Sequence, residues 1–456
     1  MDYFSKVVFF SIITFIAAGY SQETVDENAL FSDTNSIVDS STIIDFSLSE
    51  NKPESTHVGF SGSINSIVEA GASRFYFDNF SRKEITPSAY MLGNLFLDIR
   101  LPMNVKAFGN LETRFNADSS NVDFSIRELF VDVNVKRKVY FRTGKQVLQW
   151  GRCYFWNPTD LVNVERKSLE PKIGYRDGAY GIKMHVPFGT KYNLYGFVDM
   201  KKFTSVDSLA GAFRSEILIG NTEVGAELCG KRNREPVFGM DFSTTVFDID
   251  IYGEVSLESG KNYTTFEGLS KNQSIMSFLD SSTSSTESTI GNKPIPKICI
   301  GFSKSFDLLD VNDRVTVISE FYYNKAGVPG NFFEEHKIKD ALDLLTKMPG
   351  DTSDSALKTK LNSMQSRFVN PNNFSKFYLS LFTTVNKFII PDMIFQFNGV
   401  MNLEQKAATL IASLQYSTIH NLSMGLTLTG AVGSDETEYT LFSNALSARL
   451  NLGITF

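Results

Sequence analysis

The sequence is poor in the residues from which disulfide frameworks, metal sites and catalytic centres are most often built. It contains three Cys and four His among 456 residues. The odd number and wide spacing of Cys153, Cys229 and Cys299 give neither a disulfide framework nor a metal-ligand motif, so we interpret them as isolated small residues. No Gly-x-Ser-x-Gly, His-Glu-x-x-His or phosphate-binding Gly loop is present. The sequence therefore predicts a protein that is not an enzyme and uses no metal and no cofactor.

Charged residues and long apolar runs are also scarce. Only 21% of the residues are charged, the net charge is −7, and no long apolar run follows residue 18. The acidic balance excludes a basic nucleic-acid-binding protein, and the lack of apolar runs excludes a bundle of transmembrane helices. Aromatic residues are nevertheless abundant, with 40 Phe and 17 Tyr but only two Trp. Many aromatic residues in a chain without long apolar helices are typical of a protein whose β-sheet closes into a barrel within a membrane.

The N-terminal region has the features of an exported protein. Residues 7–18 form a short, mostly apolar core that small residues follow, so we interpret residues 1–21 as a signal peptide. Residues 22–57 contain eight acids and one base among many Ser, Thr and Asn, which predicts a flexible, acidic periplasmic segment. The remaining residues, 58–456, are predicted to form the folded domain.

Apolar and polar residues alternate along most of the folded domain, and the last segment shows this most clearly. From Phe442 to Phe456 every second residue is apolar except Asn444, while the other register is mostly polar or small. This alternation predicts a β-strand with one apolar and one polar face. The segment resembles the C-terminal strand of outer-membrane β-barrels. In that class a terminal aromatic residue, here Phe456, is part of the signal for the barrel-assembly machinery.

The repeated alternation predicts an all-β fold, a transmembrane antiparallel up-and-down barrel of about 18 strands, with 16 strands as the nearest alternative. The first strand is placed at 67–80. Short connections alternate with long ones, as in bacterial barrels with short periplasmic turns and long outer loops. The long connections include 149–176, 260–295 and 326–373. Helical spacing within 326–373 predicts two short helices, either as a lid over the mouth or as a surface loop with no gating role.

The polar register is predicted to face the lumen, with charges of opposite sign on opposite walls. Such walls would create a transverse field that orients polar solutes. The alternative is local pairing with acids such as Asp98, Glu112 and Asp132. The alternation slips near Arg127 and Glu128, which predicts a β-bulge. The predicted pore-lining residues are Arg100, Arg114, Arg127 and Arg142 on the basic wall and Glu223, Glu227, Asp250, Glu254 and Glu320 on the acidic wall.

Both Trp residues of the chain lie in the connection 149–176. Two Trp beside Tyr154 and Phe155 would be poorly placed on a loop in water. We therefore predict that this loop folds into the lumen, packs on the wall and narrows the pore. The alternative is an aromatic girdle at the membrane interface. The predicted constriction residues are Trp150, Arg152, Trp156, Asn157 and Asp160.

A short motif carries a resemblance to a known family. The stretch Gly144–Gly151 (GKQVLQWG), followed by Trp156–Asp160 (WNPTD), resembles a stretch of porin-like bacterial outer-membrane β-barrel proteins. The strand count, the charged lumen and the inward-folded loop predict passive diffusion of small hydrophilic solutes or ions. The resemblance implies a porin-like channel in a Gram-negative-type outer membrane. Its implied partners are outer-membrane lipid, the assembly machinery and those solutes, and no nucleic acid. An adhesin or ligand-binding barrel using its long loops and a solute-specific pore stay open as alternatives, as does the oligomeric state.

Overall fold

The computed structural model describes most of the predicted folded domain. The residues that it describes are 56–72, 85–117, 121–148, 150–162, 169, 175–200, 210–232, 234–266, 287–340, 372–417, 421–442 and 445–456. The predicted signal peptide lies outside the described residues. So do nearly all of the acidic segment and the central parts of the predicted loops 260–295 and 326–373.

Within the described residues, 18 strands form one antiparallel sheet, and two short strands form a separate hairpin. The hairpin, β12 (Thr264–Phe266) and β13 (Glu287–Thr289), belongs to a long connection. The strands of the large sheet are β1 (His57–Ala72), β2 (Ile85–Leu101), β3 (Val105–Asn116), β4 (Asn121–Val135), β5 (Val139–Gln146), β6 (Ala179–Phe188), β7 (Tyr192–Asp199), β8 (Ala210–Ile219), β9 (Thr222–Lys231), β10 (Val237–Val246), β11 (Ile249–Ser259), β14 (Pro294–Leu308), β15 (Val311–Asn324), β16 (Phe377–Val385), β17 (Met393–Asn402), β18 (Ala407–Tyr416), β19 (Leu422–Val432) and β20 (Leu446–Thr455).

The large sheet closes into a barrel. Each strand pairs with the next along the chain, and β1 also pairs with β20, so no strand of the ring is left as an edge. At this seam the backbone N–H of Phe456 donates to the carbonyl of Gly62 at 2.9 Å, and the N–H of Gly62 donates back at 2.7 Å. The predicted 18-strand barrel is therefore confirmed, and the alternative of 16 strands is wrong.

Every long connection lies at one end of the barrel, as predicted, although β3–β4, β9–β10 and β17–β18 at that end are short. The other end has only short connections. Three of the short ones, β4–β5, β10–β11 and β14–β15, have two central residues with positive φ. This is the geometry of type I′ turns, whose twist matches that of the strands they join. The central residues are Lys136 and Arg137, Phe247 and Asp248, and Leu309 and Asp310.

The first strand differs from its prediction. It spans His57–Ala72 rather than 67–80, and it therefore begins ten residues earlier. Gly62 and Ser66 interrupt the apolar register of this strand, so alternation alone marks its position poorly. Its position is set instead by pairing along nearly the whole of β2, and by pairing of its last ten residues, Ser63–Ala72, with the whole of β20.

The predicted β-bulge in β4 is confirmed. The pairing of β3 with β4 shifts at this point, because Asn110 faces Glu128 while Leu111 faces Ile126. Arg127 is thus the extra residue between two paired positions. The bulge returns the flanking residues of β4 to the faces that the alternation assigns to them.

The outward face of the barrel is apolar. On β4, Val131 and Val133 are exposed on the outside, while Asp132 between them is buried on the inside. The same exposure recurs around the ring at Phe213, Met240, Leu257, Phe302, Leu381, Leu426 and Leu450. An exposed apolar surface that follows one register around a barrel is the lipid-facing belt of a membrane-spanning sheet.

Helices play a small part in the described structure. α1 (Phe332–Glu335) lies in the connection from β15 to β16, and α2 (Glu438–Phe442) lies between β19 and β20. None of the helices among the described residues is long and apolar enough to cross a membrane. Residues 338–340 are helical, at the start of the first helix predicted for 326–373, and the rest of that prediction lies outside the described residues.

Candidate functional site

The connection from β5 to β6, residues 147–178, enters the barrel, and we call it the inward loop. Its described residues are 147–148, 150–162, 169 and 175–178. Tyr154 packs edge to face on Phe382 of β16, with the ring centroids 4.6 Å apart. β5 and β16 are the fifth and fourteenth strands of the 18-membered ring and therefore stand opposite each other. The inward loop consequently crosses the lumen from one wall to the other.

The carboxylate of Glu254 on β11 holds the first part of the inward loop. Its Oε1 accepts the backbone N–H of Cys153 at 2.5 Å and the side-chain amide of Asn157 at 3.1 Å. Its Oε2 accepts the backbone N–H and the hydroxyl of Thr159 at 3.1 and 2.8 Å. A Cβ on Gly151 would lie 2.6 Å from Oε1, so only glycine allows this approach. Four donors thus satisfy one buried carboxylate.

Glu320 on β15 provides a second anchor of the same kind. Its carboxylate accepts the backbone N–H groups of three successive residues, Tyr154, Phe155 and Trp156. The last two donate to Oε2 at 3.0 and 3.2 Å. Successive N–H groups that converge in this way form a cradle for an anion. Residues 154–156 belong to no strand or helix, so their backbone N–H groups have no partner within such an element. The carboxylate on the wall supplies the acceptors that these groups need.

Arg152 fixes the inward loop to three further strands through its guanidinium group. It forms ion pairs with Glu216 on β8, with Glu223 on β9 at 2.6 Å, and with Asp241 on β10 at 3.4 Å. The positive charge that the loop brings into the lumen therefore lies against the acidic wall. Because Arg is planar and presents five donors, one side chain can bind several carboxylates at once.

A buried ion pair behind this contact was missed by the sequence-based prediction. Arg214 binds Asp241 with both terminal nitrogens, at 2.5 and 2.9 Å, and lies 3.5 Å from Glu227. The pair reaches across β9 at Gly225, where a Cβ would lie 2.5 Å from a carboxylate oxygen of Asp241. The alternation on β8 and β10 does place Arg214 and Asp241 inside, but their pairing depends on register, which the alternation does not give.

The aromatic side chains of the inward loop are buried on the barrel wall. Trp156 is 6% exposed and stacks on Tyr322 of β15, with ring centroids 5.3 Å apart and planes 8° apart. Its indole N–H donates to the carbonyl of Asn372 at 2.7 Å. Trp150, near the start of the loop, is 7% exposed and packs with Phe197 of β7. Both Trp residues thus lie inside the barrel rather than in a girdle on its outer surface.

The end of the inward loop returns along the basic wall. Tyr175 packs edge to face on Phe96 of β2, with ring centroids 4.9 Å apart. Arg176 lies 3.7 Å from Asp160, which joins the returning part of the loop to its first part. The loop is therefore bound at both walls and also to itself.

Two of the four predicted basic residues bind carboxylates on neighbouring strands. Arg127 donates through Nε to Glu112 at 2.8 Å. Arg142 binds both oxygens of Asp132 at 2.7 and 2.8 Å, and its guanidinium lies 3.8 Å from the ring centre of Phe130. This geometry is the local pairing that the sequence left open as the alternative to an unpaired basic wall.

The other two predicted basic residues lie near opposite ends of their strands. Arg100 pairs with Asp98 on its own strand at 3.0 Å, close to the short turn after β2. Arg114, near the long-loop end of β3, donates to Asn116 at 2.9 Å and lies 4.0 Å from the ring centre of Tyr90. The four arginines therefore follow the wall along its height instead of meeting at one level.

The predicted acidic wall needs correction. Glu227, Glu254 and Glu320 are at most 3% exposed, because Arg214 and the inward loop cover them, so they do not line an open lumen. Glu223 keeps 43% of its side chain exposed beside Arg152. Asp250 accepts the hydroxyl of Thr245 at 2.6 Å near a short turn, away from the inward loop.

A buried polar cluster near the long-loop end of the barrel was also missed, and we call Ser375, Tyr378, Asn402, Gln405 and Glu438 the mouth cluster. The carboxylate of Glu438 accepts the hydroxyl of Tyr378 at 3.0 Å and the amide of Asn402 at 3.1 Å. The backbone N–H of Glu438 donates to Gln405 at 2.9 Å, and Asn402 also donates to Ser375 at 2.9 Å. The cluster ties together three outer connections. Its members come from three separate parts of the chain and share no motif.

Comparisons with known proteins address the architecture. No family model and no curated protein matches the chain. A solved BenF-like porin from Pseudomonas fluorescens is similar with a TM-score of 0.50 and 8% identity, over 88% of this chain and 98% of that one. The chain has the fold of a porin.

Two further solved structures show lower similarity. OccAB3 of Acinetobacter baumannii gives a TM-score of 0.49 with 10% identity, over 88% of this chain and 99% of that chain. A porin from Rhodopseudomonas blastica gives a TM-score of 0.41 with 9% identity, over 88% of this chain and 100% of that chain. At such identities the likeness concerns the fold alone.

Proposed function

We propose that the protein is an outer-membrane channel through which small hydrophilic solutes or ions diffuse passively. The observation that carries this proposal is a closed 18-strand barrel whose lumen is crossed by a loop anchored on the opposite wall. Barrels of 16 to 18 strands are wide enough to hold an aqueous channel. A loop fixed across such a channel narrows it without closing the barrel itself. The apolar outer belt suits the lipid of a Gram-negative-type outer membrane.

The residues that narrow the channel belong to the inward loop. Their proposed roles differ. Trp150, Trp156 and Asn157 hold the loop on the wall. Arg152 keeps 25% of its side chain exposed and therefore presents its charge to the lumen. Arg127 on the other wall is also 25% exposed. Charged groups in contact with lumen water favour polar solutes over apolar ones.

Export and assembly complete the proposal. Residues 1–21 would direct the chain out of the cytoplasm, residues 22–57 would lie in the periplasm, and Phe456 would present the assembly signal. The position of Phe456 at the seam between β20 and β1 supports the last of these roles, because pairing at this seam closes the ring.

Single-channel recording tests the proposal directly. Full-length protein refolded in detergent and added to planar lipid bilayers is expected to give stepwise currents, whereas the same sample unfolded by heat is expected to give none. Vesicles that contain the protein should also swell in isotonic solutions of small sugars. Folding is checked by the change in gel mobility on heating. Folded protein that gives neither currents nor swelling would contradict the proposal.

Replacing Arg142 with Ala is expected to lower the preference of the channel for anions. The change leaves the carboxylate of Asp132 in the lumen without its partner. A unit charge 4 Å from an ion in water contributes about 1 kcal/mol, which is up to about a fivefold change in the ratio of anion to cation permeability. The measurement is the reversal potential in a KCl gradient at low ionic strength, where screening is weak.

The matched control for Arg142→Ala is the double variant that also carries Asp132→Asn. It removes both members of the ion pair, and its reversal potential is expected to return close to that of the unmodified protein. Arg114→Ala should shift the potential in the same direction as Arg142→Ala. If the single Arg142 variant and the double variant show the same potential as the unmodified protein, this wall does not influence the permeating ions.

A further inference from the structure

The structure brings together two cysteines that the sequence-based prediction treated as isolated. Cys153 lies in the inward loop and Cys299 lies on β14, and their sulfur atoms are within 4.8 Å of each other. Both residues are fully buried thiols. The backbone around them is fixed, because Cys153 donates to Glu254 and Glu254 is the cross-strand neighbour of Cys299. One thiol is therefore carried by the loop and the other by the wall that holds the loop.

The neighbouring Glu320 lies close enough to complete a three-residue metal site, but its chemistry argues against this use. Its carboxylate already accepts the backbone N–H groups of Tyr154, Phe155 and Trp156. A metal ion bound there would displace these donors and release the segment that carries Cys153. Two adjacent thiols with an occupied carboxylate are better suited to oxidation than to metal binding.

We infer that Cys153 and Cys299 form a disulfide bond that fastens the inward loop to β14 when the protein folds in an oxidising compartment. Disulfides form and persist in the bacterial periplasm. Bond formation requires the two sulfurs to move to about 2.05 Å, which rotation of the two side chains and a small shift of the loop would provide. The inference goes beyond the proposed channel, because the bond can be detected whether or not the protein conducts.

The oxidant is a disulfide, either of a thiol–disulfide oxidoreductase or of oxidised glutathione. The thiolate of one cysteine attacks this disulfide, forms a mixed disulfide and releases one thiolate of the oxidant. The thiolate of the other cysteine then attacks the protein sulfur of the mixed disulfide and releases the second thiolate. The pair loses two protons and two electrons, and one oxidant disulfide becomes two thiols. Because both residues are buried in the folded state, the exchange takes place while the loop docks.

Thiol counting tests the inference. Full-length protein is refolded in a mixture of reduced and oxidised glutathione, quenched with acid, unfolded and alkylated with N-ethylmaleimide. With three cysteines in the chain, intact mass is expected to show one adduct without reductant and three adducts after reduction. Peptide mapping should recover Cys153 and Cys299 as one linked pair. Protein isolated from the cell envelope in the presence of the alkylating reagent should give the same pattern.

Cys229 provides the matched control. It lies on β9, away from the pair, so Cys229→Ala is expected to give no adducts before reduction and two adducts after it. Cys299→Ala should give two adducts in both samples. Three adducts without reduction in the unmodified protein, or a linked pair that contains Cys229, would overturn the inference. So would one bound zinc ion per chain together with thiols that become reactive on chelation alone.

Discussion

Replacing Glu254 and Glu320 together with Gln is expected to release the inward loop and to make openings to a higher-conductance level frequent. Gln keeps the size of the side chain but presents an NH2 group where a carboxylate oxygen accepted a donor. Glu254 receives two donors on each oxygen, and Glu320 receives at least one on each. Whichever way the two amides turn, three or more loop donors therefore lose their acceptor.

The size of the effect follows from the cost of such donors. A buried donor without a partner costs about 1–3 kcal/mol. Three of them weaken docking by at least about 3 kcal/mol, which raises the ratio of undocked to docked loop by about a hundredfold. Singly substituted Glu254→Gln and Glu320→Gln are expected to give smaller changes. They also keep the test usable if the double variant does not fold.

Tryptophan fluorescence emission reports the release of the inward loop independently of conductance. Trp150 and Trp156 are the two Trp residues of the chain, and both are buried parts of the inward loop. Release of the loop should therefore shift the emission maximum to longer wavelength, without interference from any other part of the barrel. The barrel itself is followed by its gel mobility before and after heating.

Glu258→Gln is the matched control. Glu258 lies on the same face of β11 as Glu254, but it binds Lys297 of β14 at 2.8 Å and none of the described residues of the inward loop. Its substitution is expected to leave the emission and the conductance levels unchanged. If the double variant folds and also leaves both readouts unchanged, the two carboxylates do not hold the loop.

The barrel was predictable from the sequence because the pattern that indicates each strand lies within that strand. Each strand shows its apolar register within about ten residues, as Val131 and Val133 do around Asp132. The bulge at Arg127 was visible because a single extra residue exchanges the two faces of the strand. β1 was misplaced for the complementary reason, since its Gly and Ser residues weaken the register and pairing with β2 and β20 determines its position.

The candidate site was only partly predictable. The aromatic content of the inward loop and the inward register of Glu254 and Glu320 are sequence features, and both were recognised. Their contact is not a sequence feature, because residues about 100 and 165 positions apart meet only through the ring order and the depth of the loop. The same holds for Cys153 and Cys299. The sequence therefore predicted the features that depend on a single strand. It did not predict the contacts between residues on distant parts of the chain.

Stability of the barrel is expected to fall as the pH rises from about 4.5 to about 7, because of Glu438 in the mouth cluster. Burial raises the pKa of this carboxyl from its usual 4.5 to about 7, and the hydrogen bonds donated by Tyr378 and Asn402 limit the rise. Glu438 belongs to α2 in an outer connection and is 1% exposed. The folded protein therefore keeps the proton in a pH range where the unfolded chain has lost it.

The sign of the effect follows from proton linkage. Below pH 4.5 the carboxyl is protonated in both states, and the stability that it contributes is fully present. Between pH 4.5 and 7 the folded state binds more protons than the unfolded state, so the free energy of unfolding decreases with pH. The total loss is about 3 kcal/mol, and it is complete once the pH passes the folded pKa.

Urea titrations from pH 4 to pH 9, followed by circular dichroism of the refolded protein, measure this dependence. Glu438→Gln cannot take up or release a proton at this position, so its urea midpoint should change much less between pH 4.5 and 7. The slope against pH is the readout, because the amide also changes the hydrogen bonds to Tyr378 and Asn402. Glu404→Gln is the control, since Glu404 lies in a neighbouring outer connection, accepts the N–H of Gly330 at 2.9 Å and is only partly buried. If Glu438→Gln and Glu404→Gln show the same slope as the unmodified protein, the proton of Glu438 does not govern the stability of the mouth cluster.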